Sequence, residues 1–273
     1  MTGWLRGAVR QFPLLLVTVA ILLPLYFMVA NSLKSNDAFL ASPMSPPSDF
    51  SLRAYREAVS GHDVGSLFLN SAIIAISSVV AATGLGALAG FALAKLRFRG
   101  RETFFRVMLP MMVIPPIALL VPQYKLMSAA GLINNRLSVI VIYVGLMLPF
   151  TIYLLRNFFV SFPDELLDAA ALDGCSTFTA LRRVVLPVSG PPLITAGIVN
   201  FVFAWNELLI ALVFLQSEGS RTLVVGLTVF RSRFSLDVPV LMAGLTIATL
   251  PVLLFYLFGQ RYLVRGLLAG AGK

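Results

Sequence analysis

The chain has 273 residues, 58% of them hydrophobic and 12% charged, with a mean hydropathy of +0.90. A soluble domain carries about twice that charged fraction; here the charges cluster between long apolar runs, which excludes an ordinary water-soluble globule and points to a polytopic helical membrane protein. The excess of 21 Lys and Arg over 12 Asp and Glu reads as anchors of cytoplasmic loops rather than a nucleic-acid surface, and one cysteine (Cys175) and one histidine (His62, in a polar loop and read as solvated) exclude an internal disulfide and a cysteine metal site.

Six segments are long enough to cross about 30 Å of hydrocarbon. The first, Phe12–Ala30, follows Arg6 and Arg10 like the core of a signal peptide. It has the length of a full span, however, and no clear small-residue cleavage site before Asn31-Ser-Leu-Lys34, so it is read as a spanning helix. A Pro- and Ser-rich loop over 41–50 and a short helical stretch, Leu52–Val59, lead to the second span, Leu67–Leu96, which exceeds the bilayer and has to tilt or project. Its Gly86-Ala-Leu-Ala-Gly90 admits another helix backbone at close range, a pattern that serves ordinary packing more often than a direct role. In the third span, Phe104–Pro122, the pair Pro115-Pro116 predicts a break near the middle. The fourth, fifth and sixth spans are Leu137–Arg156, Pro191–Leu215 and Val240–Gly259.

Loop charges orient the spans. With the N-terminus in the cytoplasm, 13 of the 21 basic residues fall on that side, and the densest cluster, Lys95 to Arg106, sits in a very short loop where the charge rule is strongest. Both termini and a polar island over 161–187 are then cytoplasmic. The segments near 41–59, 123–135 and 216–237 lie outside, either as connectors or as docking surfaces.

Within the fifth span, Trp205-Asn206-Glu207 places a carboxylate at depth, at a cost of about 2.5–3.5 kcal/mol on insertion scales. Asn200 and Glu207 are seven residues apart and share a helical face. The face borders either a hydrated path (Asn200, Trp205, Asn206, Glu207) or a polar seam against another subunit; a Glu paired for structure fits equally well. Catalytic signatures are missing. The tail Gly266-Leu-Leu-Ala-Gly-Ala-Gly-Lys273 fails the spacing and context of a phosphate loop, no zinc-binding H-E-x-x-H occurs, and a lone histidine cannot complete a hydrolase triad. Glu207 stands alone as an intramembrane acid, so energy for uphill movement has to come from elsewhere.

The polar island, Ser161-Phe-Pro-Asp-Glu-Leu-Leu-Asp-Ala-Ala-Ala-Leu-Asp-Gly174 continued to Pro187, reads as two short helices joined at Gly174. Ser161 is the predicted cap of the first helix, with Asp164 as a near-capping-box partner and Pro163 in the first turn. Gly174 is the predicted left-handed stop, Ser176 or Thr177 caps the second helix, and Pro187 ends it. Phe178, Leu181 and Val185 form an apolar stripe, which suits a partner's groove as well as it suits packing under the membrane domain.

The run Asp168-Ala-Ala-Ala-Leu-Asp-Gly174 followed by Val185-Leu-Pro187 resembles the cytoplasmic EAA loop of permease subunits in binding-protein-dependent ABC importers. The stretches Ala89 to Arg101, Phe203-Ala-Trp-Asn-Glu207 and Gln260 to Gly272 resemble the carbohydrate-uptake branch, of the second, maltose-permease type with six spans. The resemblance implies an all-α integral membrane protein with the fold of a type I ABC importer transmembrane domain, a single transmembrane domain over 1–273 with a coupling loop at 161–187. It implies a non-catalytic subunit in the cytoplasmic membrane of a prokaryote. Its partners would be a second permease in a heterodimer, two ATPase subunits holding ATP and Mg, an extracytoplasmic sugar-binding protein and the lipid bilayer, with no nucleic acid and no cofactor on this chain. ATPase coupling is carried onto Glu165, Asp168, Ala169, Ala170, Asp173, Gly174, Phe178, Leu186 and Pro187. Asp168 departs from the usual Glu by one methylene, and Cys175 replaces a small Ala. Rival readings are the same machine carrying glycerol phosphate or another polar solute, and, from a different class, a stand-alone secondary transporter.

Overall fold

Apolar segments without water have to satisfy each backbone N–H and C=O internally, and helices do so segment by segment. The computed structural model describes residues 2–61, 63–233 and 237–271, with side chains placed at 11–60, 63–228 and 237–260. His62, Gly272 and Lys273, together with the side chains of Arg6 and Arg10 and those of residues 261–271 in the tail, lie outside the described residues. In chain order the helices are α1 (Thr2–Ser32), α2 (Asn36–Ala41), α3 (Arg53–Gly61), α4 (Val64–Lys95), α5 (Arg101–Met108), α6 (Leu120–Ala129), α7 (Arg136–Val160), α8 (Asp164–Leu172), α9 (Thr177–Ala180), α10 (Leu186–Val188), α11 (Gly190–Asn206), α12 (Leu209–Phe214), α13 (Leu223–Arg233) and α14 (Val238–Ala271).

Four of these, α1, α4, α7 and α14, are long and apolar enough to cross a membrane, and two bent pairs raise the number to six if each counts as one span. The first pair is the expected third span. From α5 it continues as a 3-10 turn (Leu109–Val113), breaks at Pro115 and resumes through a second 3-10 turn (Pro116–Leu119) into α6, with a bend of 102°. The predicted Pro115-Pro116 break is therefore present, and it is a sharp corner rather than a kink. The second pair bends by 80° between Thr177–Val188 and α11. Where a single span over Pro191–Leu215 was expected, the helix stops at Asn206 and restarts at Leu209.

The chain divides into two compact units. One comprises residues 1–67 and 226–251. In it Ser32 Oγ and Tyr55 Oη are 2.8 Å apart, Lys34 Nζ donates to the Ser42 carbonyl at 2.9 Å, and Arg53 pairs with both Glu57 and Asp237. The other comprises residues 68–225 and 252–273, and its core lies between α4, α7 and α11.

The small-residue stripe of α4 sets the α4–α7 distance. A Cβ built on Gly86 falls 2.4 Å from Thr151 Cγ2, and one on Gly90 falls 3.1 Å from the Arg156 backbone nitrogen. Thr151 is also the acceptor for Asn200 Nδ2 at 2.9 Å, so α11 is tied to the same point on α7. Gly84, two residues from Gly86, meets nothing within 4 Å.

Overpacking of this kind costs about 1–3 kcal/mol. Gly86→Val and Gly90→Val are expected to lower the thermal midpoint of the purified protein in detergent, while Gly84→Ala leaves it unchanged or raised. Equal midpoints for all three would refute the close-approach seam.

Candidate functional site

The polar island is two short helices standing off the apolar helices. α7 ends at Ser161, whose Oγ donates to the Phe158 carbonyl at 2.8 Å. Ser161 therefore closes α7 and does not cap α8, contrary to expectation. The residue preceding α8 is Pro163, at φ −58° and ψ 127°, and it has no side-chain acceptor to offer. Asp164 and Glu165 occupy the first turn of α8, where the helix dipole favours carboxylates.

The C-terminus of α8 is a Schellman motif. Gly174 has φ +76°, Cys175 N–H donates to the Ala170 carbonyl at 2.9 Å and Gly174 N–H to the Ala171 carbonyl at 3.0 Å. The predicted stop at Gly174 is thus present with its cross-bonds. Ser176 caps α9, its Oγ accepting from Thr179 N–H at 3.3 Å. Pro187 does not end the second helix, which runs on to Val188. Ahead of it a π-helical turn, Leu181–Val185, opens the register, with Leu186 N–H donating to the Leu181 carbonyl. Pro187 lacks an N–H and its ring crowds the carbonyl four residues back, and a wide turn just before it relieves both problems.

The expected apolar stripe splits. Leu181 and Val185 are buried in a cluster with Ala87, Phe91, Leu155, Phe159 and Phe162, against which Leu167 and Leu186 also pack. Phe178, one turn earlier, is 62% exposed. Among the residues assigned to coupling, Glu165, Asp168, Ala169, Asp173, Gly174, Phe178 and Pro187 are exposed, whereas Ala170 is buried and Leu186 is half-buried. Ala170 thus supports the helix from beneath. One residue that sequence reasoning passed over stands out: Leu172 is 90% exposed at the tip beside Gly174. A Leu in the last turn of a predicted docking helix, off the register of its buried face, was the available signal.

Lys95 holds the base of the island, and Arg156 ties α7 to α4 and α5. Lys95, the last residue of α4, is 9% exposed, and its Nζ donates at 2.6 Å to both the Phe162 carbonyl and Asp164 Oδ1. Arg156 reaches Glu102 at 2.8 Å and lies 3.9 Å above the Phe105 ring. In the sequence both counted only as topological charges.

The intramembrane candidates do not share one face. Asn200 is buried against Thr151. Trp205 is buried, edge-on to Phe68 and stacked on Phe201, with centroids 5.3 and 5.4 Å away. Asn206 is exposed, and its Nδ2 donates to the Val202 carbonyl. Glu207 leaves the helix in extended conformation, and its carboxylate accepts from Ile210 N–H at 3.0 Å, Ala211 N–H at 3.1 Å and Tyr143 Oη at 2.8 Å. It caps α12 and anchors that helix to α7. The alignment of Asn200 with Glu207 assumed an unbroken helix, and the break at Glu207 and Leu208 removes it. No group of three or more metal-ligating side chains occurs among the described residues.

Residues 82–268 match the model of the family described as binding-protein-dependent transport system inner membrane component. The chain is 35% identical over 260 residues to the probable ABC transporter permease protein YurM of Bacillus subtilis, covering 95% of this chain and 86% of that one. It is 34% identical to the trehalose transport system permease protein SugB of Mycobacterium tuberculosis (92% of each chain) and 31% identical to the diacetylchitobiose uptake system permease protein NgcG of Streptomyces coelicolor (93% and 85%). Its fold is similar to a chain of a bacterial ABC transporter involved in alginate import, with a TM-score of 0.84, 23% identity and coverage of 94% and 96%.

Removal of the Glu207 carboxylate leaves two helix N–H groups and the Tyr143 hydroxyl without their acceptor, at about 1–3 kcal/mol for an unsatisfied buried group. Glu207→Ala is expected to lower the thermal midpoint, Glu207→Gln to lower it less, and Tyr143→Phe to add little to Glu207→Ala. Additive effects of Tyr143→Phe and Glu207→Ala would contradict a shared interaction.

Proposed function

Since the chain belongs to the family of binding-protein-dependent transport system inner membrane components, we propose that it is one of two unlike permease subunits of an ATP-driven importer that takes up a sugar across the cytoplasmic membrane. The observation that carries this reading is the island itself: a capped, rigid helix pair with Leu172 and Phe178 presented outward on a chain whose remaining long helices are apolar. Large apolar side chains held in water by a stiff scaffold are what a partner's groove receives.

In this reading α8 and α9 dock into an ATPase subunit on the cytoplasmic side, with both termini of the chain on the same side. Glu165, Asp168, Ala169, Asp173, Gly174 and Phe178 form the docking face, joined by Leu172. Ala170, Leu186 and Pro187 hold the shape of the loop beneath it. Asp168 is exposed and available to a basic group of the ATPase at the shorter reach of an aspartate. ATP and Mg are held by the two ATPase subunits, and this chain contributes no catalytic group. Closure of the ATPases draws this island and its counterpart on the second permease together. The helices above them then turn the path from inward to outward access, and an external binding protein delivers the solute. Asn206 is the exposed member of the four intramembrane candidates and in this reading is the one that borders the path; Asn200, Trp205 and Glu207 keep the broken helix in shape.

Trehalose and diacetylchitobiose uptake by relatives supports a saccharide as cargo. The deciding measurement is ATP hydrolysis by the purified complex in liposomes with its binding protein, screened against a panel of di- and oligosaccharides and glycerol phosphate. Stimulation by a saccharide supports the reading. Stimulation by glycerol phosphate alone would replace the cargo, and solute accumulation without any ATPase subunit would replace the machine.

Gly174→Asp forces an L side chain to φ +76° and is expected to abolish solute-stimulated hydrolysis while membrane insertion persists. Leu172→Asp is expected to reduce ATPase co-purification roughly tenfold or more, as an interface anchor does. Because Leu172 is exposed, that change should leave the unfolding stability of the isolated chain within about 0.5 kcal/mol of the original. Full ATPase recovery with Leu172→Asp would remove that residue from the docking face.

A further inference from the structure

Helices α4 and α7 meet over the last third of α4. Gly90 sets their backbones in contact, Gly86 sits against Thr151, and Arg156 of α7 reaches Glu102 just beyond α4. The chain then leaves α7 through Phe162 and Pro163 and enters α8. This two-residue joint is where α8 can swing relative to the α4–α7 pair, since rotation about a few torsions at the end of an element is how hinges act.

Two kinds of contact oppose that swing. One is apolar: Leu167 of α8 lies on the buried cluster beneath it, and α8 packs against α9 and the Leu181–Val185 turn. Apolar contact has no preferred direction and resists sliding weakly. The other is Lys95. Its ammonium grips the joint on both sides of Pro163, through the Phe162 carbonyl before it and the Asp164 carboxylate after it, each at 2.6 Å. The lysine is nearly buried while Asp164 is 75% exposed, so the cation is the fixed member and the carboxylate is brought to it. Charge-assisted bonds are short and directional, and two of them on successive sides of a joint fix its angle.

We propose that Lys95 is a positioning residue that locks the α7–α8 joint, so that displacement of α8 is delivered to α4 instead of being absorbed at Phe162 and Pro163. The inference rests on the reading of α8 as the helix an ATPase subunit grips, and it adds the element to which the force passes.

The test is a distance measured within one chain of the assembled complex. The native Cys175 is replaced by Ser, and spin labels are placed at Leu166→Cys on the exposed side of α8 and Val80→Cys on the exposed side of α4. Electron–electron resonance distances are then recorded without nucleotide and after trapping with ATP and orthovanadate. With Lys95 present, one narrow α4–α8 distance is expected in both states. Lys95→Met should give a second population or a shifted mean on trapping, and Lys95→Arg, which keeps a cation in reach, should restore the single distance. Should Lys95→Met fail to fold, Asp164→Ala breaks only the exposed half of the grip and is expected to shift the distance in the same direction by less.

A single unchanged distance in Lys95→Met, or in Asp164→Ala if that variant has to decide, overturns the proposal. So does a change of distance on trapping in the chain that retains Lys95. Failure of the ATPase to co-purify with the unsubstituted chain overturns the docking reading and this inference with it. It is recognisable because it precedes labelling and does not depend on Lys95.

Discussion

Each interruption of a helix in this chain releases backbone N–H and C=O groups, and in apolar surroundings those groups have to find partners. The structure meets this demand with a few polar side chains placed at the breaks. Glu207 takes the first N–H groups of α12 where α11 stops. Lys95 takes the Phe162 carbonyl where α7 gives way to α8. Asn134, at φ +62°, accepts from the N–H groups of Gln216 and Ser217 beyond the end of α12. Where no such side chain is available the chain uses proline, which has no N–H to satisfy, as at Pro115-Pro116 and Pro191-Pro192.

This arrangement accounts for the small number of charged side chains at depth and for their unequal roles. A carboxylate within an apolar span is readily taken for a ligand of whatever passes through the membrane. Glu207 is fully occupied by its own chain, with three donors converging on it, and Tyr143 makes the same interaction a link between α7 and α12. The cost of taking the carboxylate out of water is offset by charge-assisted bonds, which are stronger than neutral ones. Lys95 follows the same logic where α7 gives way to α8. It ties the polar helix α8 to the long helix α4.

Much of the fold and part of the site were legible beforehand for physical reasons. Long apolar runs become helices regardless of context, so α1, α4, α7 and α14 were readable from hydropathy alone. Gly174 was readable because only a residue without a Cβ sits easily at φ +76° after a helix, and Gly86 and Gly90 because small residues four apart admit a neighbouring backbone. The break at Glu207 was not readable: nothing in Trp205-Asn206-Glu207-Leu208 forbids a helix, and the partner that meets Glu207 there, Tyr143, is more than sixty residues away in the chain. The register of the second island helix was also hidden. A period of 3.6 puts Phe178, Leu181 and Val185 on one stripe, yet only the last two reach the buried cluster.

By itself the sequence determined that the chain lives in lipid, which segments are helical, and that two short polar helices turning at Gly174 stand apart from the apolar ones. Those properties follow from local composition and local sterics. The tertiary structure decided which of those residues face outward, that Ala170 lies beneath and Leu172 above, that Glu207 serves the backbone, and that Lys95 grips the joint below α8. These are matters of which distant groups meet, and a buried charge or an orphaned carbonyl acquires its role only from the partner that folding brings to it.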